Sequence, residues 1–191
     1  MWEDVAYLVG ALADGGLYEF RYGSRTEYRC VWTQADETYL AESIVPRLRR
    51  VMENLGVSNK IRLLKGSTRF EVRVSSKKLY TFLRQLFSDL GWLANKPIEV
   101  KLAYVRGLFD AEGEKTGRRI RLWNKRIDVL AVAKDILGEV GIAVSGPYAD
   151  DKRHGVYVIE VPAQYRKQFI KVVKPEHPRL NRSSRRGLRP R

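Results

Sequence analysis

The chain has 191 residues, of which 44% are hydrophobic, so a sizeable core can form without disulfides, and Cys30 is its single cysteine. Its 36 lysines and arginines outnumber its 22 acidic residues, and the net charge of +14 predicts a polyanionic partner, nucleic acid before a membrane surface. No apolar run approaches the roughly 20 residues that span a membrane, and the first residues are unlike a signal peptide, so we expect a cytoplasmic, nucleoid-associated protein.

The first half of the chain alternates helices and hairpins. Apolar spacing predicts a helix over 2–13, stopped by Gly15 and Gly16, and a longer helix over 36–55 that Pro46 should kink. Turn residues and alternating apolar positions predict two hairpins, and a further helix closes this half. These elements are strands 17–22 and 27–33, strands 60–65 and 69–74, and a helix over 77–90.

The same order of elements restarts after a linker at 91–96. The predicted elements are a helix from Pro97 to about Glu112, a strand at 118–123, a helix over 127–140, a hairpin at 145–149 and 155–161, and a helix over 163–173. We therefore predict an α+β fold with a pseudo-twofold duplication of αββαββα halves and antiparallel sheets. The predicted divisions are 1–94, 95–174 and a basic tail, 175–191, expected to stay disordered until it meets phosphates.

Alternation in the strands predicts a basic face opposite the core. Antiparallel ribbons of this kind fit the major groove, where arginine reads guanine and glutamate accepts a hydrogen bond from cytosine. We expect the aromatic residues to fall mostly on core faces, which favours duplex over single-stranded DNA. The outward-facing candidates for DNA contact are Arg29, Thr33, Lys60, Arg62, Arg69, Glu71, Arg73, Arg119 and Arg121.

Two apolar helices each end in an acid that a glycine follows: Asp14 and Glu112. A carboxylate is unfavourable at the negative end of a helix, and two carboxylates brought together would raise the pKa of one of them. A hard divalent cation removes both conflicts and can also take the free carbonyls of Ala13 and Ala111 as ligands. Set against a basic surface that binds a duplex, such a cation can polarise a scissile phosphate and activate water.

The stretch Gly-Leu-Phe-Asp-Ala-Glu-Gly at 107–113 resembles the LAGLIDADG motif, and Ala-Asp-Gly-Gly at 13–16 resembles the end of a second copy. The chain is identified as a member of the monomeric, two-motif LAGLIDADG homing endonucleases of archaeal, intron-encoded type. That resemblance implies saddle-shaped sheets over the major groove and Mg²⁺-dependent cleavage of both strands of a long asymmetric site, with short 3′ overhangs. It implies that Mn²⁺ or Ca²⁺ can replace Mg²⁺ in binding, and that the monomer needs no obligate protein partner. A thermophilic source also fits the low cysteine and methionine content.

The resemblance also assigns roles to single positions. Asp14 and Glu112 match the metal-binding acids, while Gln34 and Lys115 match polar residues near the scissile phosphates. Lys115 would stabilise charge or position water, and Gln34 would order the solvent network. Asn124 occupies the position in the second half that corresponds by pseudo-symmetry to Gln34 in the first. Further DNA contacts are implied for the basic or polar residues Lys77, Asn124, Lys125, Arg153 and His154.

The two motif helices differ in length. Five steps separate Gly107 from Glu112, whereas only four separate Gly10 from Asp14. Aligning the helices on their acids puts Val9 at the close-packing position, which predicts a helix interface that is looser or shifted by one residue.

Two binding functions compete with cleavage: an RNA-splicing maturase, and a DNA-binding protein that has lost its nuclease activity. The presence of Asp14, Glu112 and Lys115 argues against that loss but does not exclude a second role with RNA. The sequence has only two histidines, His154 and His177, and they form no ligand-like cluster, which argues against a histidine-based nuclease site.

Overall fold

The computed structural model describes residues 1–116, 118–150 and 153–178. Its first half opens with helix α1, Trp2–Ala11, which a short 3₁₀ turn at Leu12–Asp14 extends towards the first sheet. A π-helical turn at Leu40–Ile44 lies between helix α2, Glu37–Tyr39, and helix α3, Val45–Asn54, and ends two residues before Pro46, where it takes the place of the predicted kink. The bounds are α1 Trp2–Ala11, β1 Gly15–Tyr22, β2 Arg25–Gln34, α2 Glu37–Tyr39, α3 Val45–Asn54, β3 Arg62–Lys65, β4 Phe70–Ser75 and α4 Lys77–Ser88.

The second half repeats this order, and three of its four strands are shorter than their counterparts. Its first strand, β5 at Gly113–Thr116, was not among the predicted elements, because Gly-Glu-Lys-Thr is short and has no apolar alternation. A 3₁₀ turn at Leu90–Leu93 joins the halves, and another at Ala163–Tyr165 precedes the last helix. The bounds are α5 Ile98–Glu112, β5 Gly113–Thr116, β6 Arg119–Asn124, α6 Ile127–Glu139, β7 Ser145–Ala149, β8 Tyr157–Val161 and α7 Arg166–Val173.

Two four-stranded antiparallel sheets carry the duplication. Their strand orders are β1-β2-β4-β3 and β5-β6-β8-β7, so the strands that correspond in sequence take the same positions in the two sheets. The helices cover one face of each sheet, where the buried side chains of β2, β4, β6 and β8 meet them. This arrangement confirms the predicted α+β class and the repeated, antiparallel architecture.

Helices α1 and α5 pack side by side at the centre of the molecule. A Cβ atom added to Gly10 would lie 2.2 Å from the Tyr104 carbonyl oxygen, and one added to Gly107 would lie 2.1 Å from the Tyr7 carbonyl oxygen. Gly10 and not Val9 is thus the close-packing residue, so the contact is shifted by one residue relative to the acid, as one of the two predictions had it, and the prediction of a looser interface is wrong.

The 3₁₀ turn at Leu12–Asp14 explains how the shorter motif still fits. One α step of about 1.5 Å and three 3₁₀ steps of about 2.0 Å advance roughly 7.5 Å from Gly10 to Asp14. Five α steps from Gly107 to Glu112 advance about the same distance. A tighter turn therefore compensates for the missing residue, and both acids reach the ends of closely packed helices.

The segment that follows α7 packs against the helix pair. The backbone N–H groups of Glu176 and His177 donate hydrogen bonds to the Asp110 carboxylate at 3.0 and 3.1 Å, and the His177 ring stacks on Tyr39 at 4.6 Å. The predicted disorder from residue 175 is therefore wrong for 175–178, because the buried Asp110 carboxylate binds these N–H groups. Residues 179–191 of the predicted tail lie outside the described residues.

The outer faces of the sheets carry the charged residues, as predicted, and the first sheet also carries aromatic ones. Tyr18, Phe20 and Tyr22 lie opposite Arg29, Glu27 and Arg25 on the face away from the helices. The prediction that aromatic residues fall mostly on core faces fails for this strand, because β1 is a sheet edge whose outer face no helix covers. Among the described residues, no helix is both long and apolar enough to cross a membrane.

Candidate metal centre and DNA-facing surface

Asp14 lies at the end of the 3₁₀ turn, where residues of the first sheet surround its carboxylate. Gln34 Nε2 donates to Asp14 Oδ2 at 2.7 Å, and Arg69 Nη1 forms an ion pair with Oδ1 at 2.7 Å. The Thr33 hydroxyl donates to the Asp14 carbonyl oxygen at 2.9 Å. The carboxylate is consequently fixed in orientation by the last residues of β2 and the loop ahead of β4.

Gln34 also connects the two halves of the molecule. Its Nε2 group donates a second hydrogen bond, at 3.1 Å, to the carbonyl oxygen of Ala111, the residue before Glu112. Gln34 is only 4% exposed, so this amide is held between the helix ends. The end of the first motif and the end of α5 therefore meet at one amide group, which the Asp14 carboxylate and the Ala111 carbonyl share as acceptors.

Glu112 lines two adjoining cavities of about 430 Å³ each at this junction. One brings Glu112 together with Ala13 of the first motif, and the other brings it together with Arg69 and Lys115. Asn124, Lys125 and Arg153 line the first cavity as well. The structure thus gathers both acids, both alanines, Gln34 and Lys115 into one region between the sheets.

Lys115 stands on β5, three residues after Glu112. Partial burial, together with the nearby positive charge of Arg166, lowers the pKa of the Lys115 ammonium below its usual range. A lysine in this setting loses its proton more readily than an exposed one.

The outer face of the first sheet is a network of paired charges. Arg29 forms an ion pair with Glu27 at 2.6 Å, and Arg73 forms one with Glu71 at 2.5 Å. Hydrogen bonds from Arg29 and Ser75 lower the pKa of Glu27 to about 2, so this acid is ionised at neutral pH. The other predicted DNA contacts of this half lie beside the network: Thr33 and Arg69 at Asp14, Arg62 on β3, and Lys60 ahead of it.

The second sheet presents a smaller charged face. Arg119 and Arg121 both form ion pairs with Glu160, at 2.8 and 2.9 Å. The guanidinium of Arg153 lies 5.1 Å from the centre of the Trp123 ring, next to the cavity that Glu112 lines. His154 follows in the same exposed turn.

Lys77 differs from the other predicted DNA contacts. It begins α4, and its ammonium lies 5.6 Å from the centre of the Tyr28 ring on the helix-covered side of β2. Lys77 also lines a cavity together with Arg25 and Glu27 of the outer face, so its contact with DNA stays a prediction.

Two features of the site were not predicted from the sequence. The ion pair between Arg69 and Asp14 joins residues 55 positions apart, and no local pattern links them. The row of Tyr18, Phe20 and Tyr22 was open to detection, because these aromatic residues alternate along one strand.

Comparison with known proteins agrees with this architecture. A model of the LAGLIDADG-like domain matches residues 99–186. The homing endonuclease I-DmoI of Desulfurococcus mucosus is 38% identical over 174 residues, which cover 90% of this chain and 88% of that protein. This chain belongs to the LAGLIDADG homing endonuclease family.

Other members support the same assignment. The homing endonuclease I-ApeI of Aeropyrum pernix is 30% identical over 160 residues, which cover 74% of this chain and 68% of that protein. The crystal structure of I-DmoI in complex with DNA and Mn matches with a TM-score of 0.82 and 37% identity over 92% of this chain and 98% of that one. The crystal structure of I-DmoI in complex with DNA and Ca also matches with a TM-score of 0.82 and 37% identity, over 92% of this chain and 91% of that one.

Proposed function

We propose that this LAGLIDADG protein is a site-specific endonuclease that cuts both strands of a long, asymmetric duplex DNA site and leaves short 3′ overhangs. It works as a monomer without an obligate protein partner, because a single chain supplies a carboxylate from each half. The observation that carries this proposal is the amide of Gln34, which joins Asp14 of the first motif to the carbonyl beside Glu112 of the second. Shared architecture and identity to I-DmoI support the same activity.

Asp14 and Glu112 are the proposed metal-binding acids, with the backbone carbonyls of Ala13 and Ala111 as further ligands. In the described part of the chain, no group of three or more histidine, cysteine, aspartate or glutamate side chains could hold a metal. Two carboxylates with carbonyls suit a hard cation that keeps water and phosphate oxygens as its other ligands, which favours Mg²⁺, with Mn²⁺ or Ca²⁺ as substitutes in binding. Bound there, the cation would polarise the scissile phosphate and activate water.

The protein's own residues position the reacting groups. Gln34 fixes the Asp14 carboxylate and holds the Ala111 carbonyl at a set distance from it. Lys115, from the cavity that Glu112 lines, stabilises negative charge on a phosphate or positions the attacking water. Asn124 and Lys125 border the neighbouring cavity on the second sheet, where Asn124 is the proposed counterpart of Gln34.

Recognition of the site is assigned to the outer faces of the two sheets. Their arginines and glutamates are held in pairs, which orients their hydrogen-bonding groups before DNA arrives. The net charge of +14 adds attraction to the phosphates that does not depend on sequence. The archaeal origin of the relatives supports action on chromosomal DNA in an archaeal cell, and the composition favours a thermophile.

The test is selection of cleaved duplexes from a random-sequence library in the presence of Mg²⁺, followed by sequencing of the ends. A single enriched asymmetric sequence with short 3′ overhangs is expected, and chelation of the metal should stop cleavage while Ca²⁺ still permits binding. A protein that shifts duplex DNA and never nicks it would be a binding protein. A protein that binds an intron RNA in preference to every duplex would be a maturase.

A further inference from the structure

An exposed row of aromatic side chains runs along the outer face of β1. Tyr18 is 44% exposed and Tyr22 is 56% exposed, and Phe20 lies between them. Neighbouring rings are stacked, with centroids 6.1 Å apart for Tyr18 and Phe20 and 6.4 Å apart for Phe20 and Tyr22. The row, which we call the aromatic row, is therefore a continuous apolar strip on a surface that is otherwise charged.

The side chains beside the aromatic row show which kind of partner fits it. Directly paired residues of antiparallel strands share a face, so Arg29, Glu27 and Arg25 flank the three rings. The Arg29 guanidinium lies 4.4 Å from the centre of the Phe20 ring while it forms an ion pair with Glu27. An apolar protein surface would leave these charges without water, whereas a DNA groove offers phosphates and base edges to them.

The aromatic row also begins next to the candidate metal centre. Asp14 immediately precedes β1, and the Tyr18 ring lies so close over Gly16 that a Cβ atom there would be 2.6 Å from its Cζ atom. At about 3.3 Å per residue, the row runs from roughly 13 to 26 Å beyond Asp14 along the strand. At about 3.4 Å per base pair, this length corresponds to roughly four base pairs on one side of the cleavage position.

Resting on the proposed function, we infer that the aromatic row reads the 5-methyl groups of thymines in the half-site that the first sheet contacts. The thymine methyl is the apolar group that the major groove exposes, and apolar side chains recognise it by contact. The flanking arginine and glutamate residues keep hydrogen bonds available for the polar base edges on either side. The three rings then select for thymine at positions where no hydrogen bond distinguishes it from the other bases.

The second sheet provides an internal control. Its strand β5 also follows the motif acid, but its sequence, Gly-Glu-Lys-Thr, contains no aromatic residue. Thymine selection by a row of stacked rings that follows the motif acid is therefore confined to one side of the site. An exposed aromatic residue of the second sheet, Tyr148 on β7, is 57% exposed and serves as a matched position for substitution.

The experiment uses the full chain and a duplex selected from a random library for binding in Ca²⁺. Each thymine is replaced in turn by deoxyuridine, which removes only the methyl group. Replacement under the aromatic row should weaken binding about three- to fivefold per methyl, and replacement on the other side should not. In the Phe20→Ala and Tyr22→Ala variants this penalty should disappear at the thymine that the removed ring contacts, whereas Tyr148→Ala should retain the penalty at every position.

The outcomes separate this inference from the proposed function. A selected site without thymine enrichment under the aromatic row, or equal affinity for thymine and deoxyuridine there, overturns the inference and leaves the endonuclease proposal intact. Stronger binding to the single strand than to the duplex would make the row a stacking platform and also overturn it. Failure to select any sequence contradicts both proposals. Circular dichroism of the variants verifies folding, and Tyr22, which is largely exposed, should tolerate substitution.

Discussion

Gly10 and Gly107 occupy reciprocal positions in the contact between α1 and α5. Gly10 lies against the backbone of Tyr104 and Leu108, and Gly107 lies against the backbone of Tyr7 and Ala11. Close approach of the two helices at this level brings the residues at their ends, Asp14 and Glu112, to the same region.

Replacement of Gly10 by alanine should destabilise the protein by about 1–3 kcal/mol, because the new methyl group would overlap the Tyr104 carbonyl oxygen. Denaturant unfolding measures the change. Gly138→Ala in α6 is the matched control, since nothing lies within 4 Å of the place that its new methyl group would take and alanine favours helices. Equal stability of Gly10→Ala and Gly138→Ala would contradict the close contact between the helices.

The substitutions Asp14→Asn and Glu112→Gln should each reduce cleavage by more than about 100-fold. Loss of a metal ligand costs more activity than loss of a residue that only forms a hydrogen bond with a ligand. Binding of the selected duplex should persist, because recognition lies on the strands. Gel-shift and cleavage assays on the same samples separate the two properties. Asp135→Asn and Glu53→Gln, which alter exposed acids on α6 and α3, should change neither one. Full cleavage by either motif variant would refute the assigned roles.

Arg69 should compete with the metal for Asp14 in the protein without DNA, because its guanidinium contacts Asp14 Oδ1 at 2.7 Å. The Arg69→Gln variant should therefore bind Mn²⁺ about two- to fivefold more tightly, the range expected for loss of an exposed ion pair. Isothermal titration with Mn²⁺ measures the affinity directly. Arg62→Gln removes a charge from β3 and serves as the control, with no such gain. An unchanged or weaker affinity in Arg69→Gln would show that the ion pair does not restrain metal binding.

Arg73→Ala should weaken DNA binding by about 1–3 kcal/mol if Arg73 contacts a base, and the loss should then be confined to sites that carry that base. If Arg73 contacts a phosphate, the loss of affinity should be uniform across sequences. The slope of the logarithm of affinity against the logarithm of salt concentration should then become shallower by about one. Binding to the selected site and to mutated sites at several salt concentrations distinguishes these results. Arg50→Ala, which breaks an ion pair with Asp4 on the helix side, should leave affinity close to that of the wild type. Unaltered binding by Arg73→Ala would remove Arg73 from the recognition surface.

Asp110 should make stability depend on pH. Burial raises the pKa of its carboxyl from 3.8 to about 6, although Tyr7 and two backbone N–H groups bind the anion. Because the folded protein then holds this proton more tightly than the unfolded chain, acidification through pH 6 towards pH 4 favours folding at this residue. Between about pH 7 and pH 5, wild type should gain roughly 1 kcal/mol relative to Asp110→Asn in denaturant unfolding. A difference that stays constant with pH would contradict the raised pKa.

The repeated architecture could be predicted because its signals are local. Alternating apolar residues in β2, β4 and β6, and helical spacing in α3 and α6, reveal each element within a short window. The strand β5 escaped prediction because four residues without apolar alternation pair only through contact with β6. The ordered conformation of the segment after α7 also depends on hydrogen bonds to Asp110, which lies more than 60 positions earlier. Sequence patterns do not reveal a contact over that separation.

Some residues of the candidate site could be predicted from local sequence, and others could not. Asp14 and Glu112 stand out because each ends an apolar helix and precedes a glycine, and this combination is unusual electrostatically. Their proximity followed from the duplication. The partners that fix Asp14, above all Arg69, come from a loop whose position depends on the register between β2 and β4. The meaning of the shortened spacing from Gly10 also required backbone geometry, because residue counts alone assume a uniform helix.

The 3₁₀ turn before Asp14 has a consequence for how such proteins are recognised and how they diverge. The site requires a fixed distance along the helix axis from the close-packing glycine to the motif acid. A tighter, 3₁₀ winding of the backbone can keep that distance after a single residue has been deleted. Alignments that penalise every gap inside the motif will misplace the acid of one half in chains like this. Paired halves can therefore drift apart in motif length while the distance that the chemistry requires is retained.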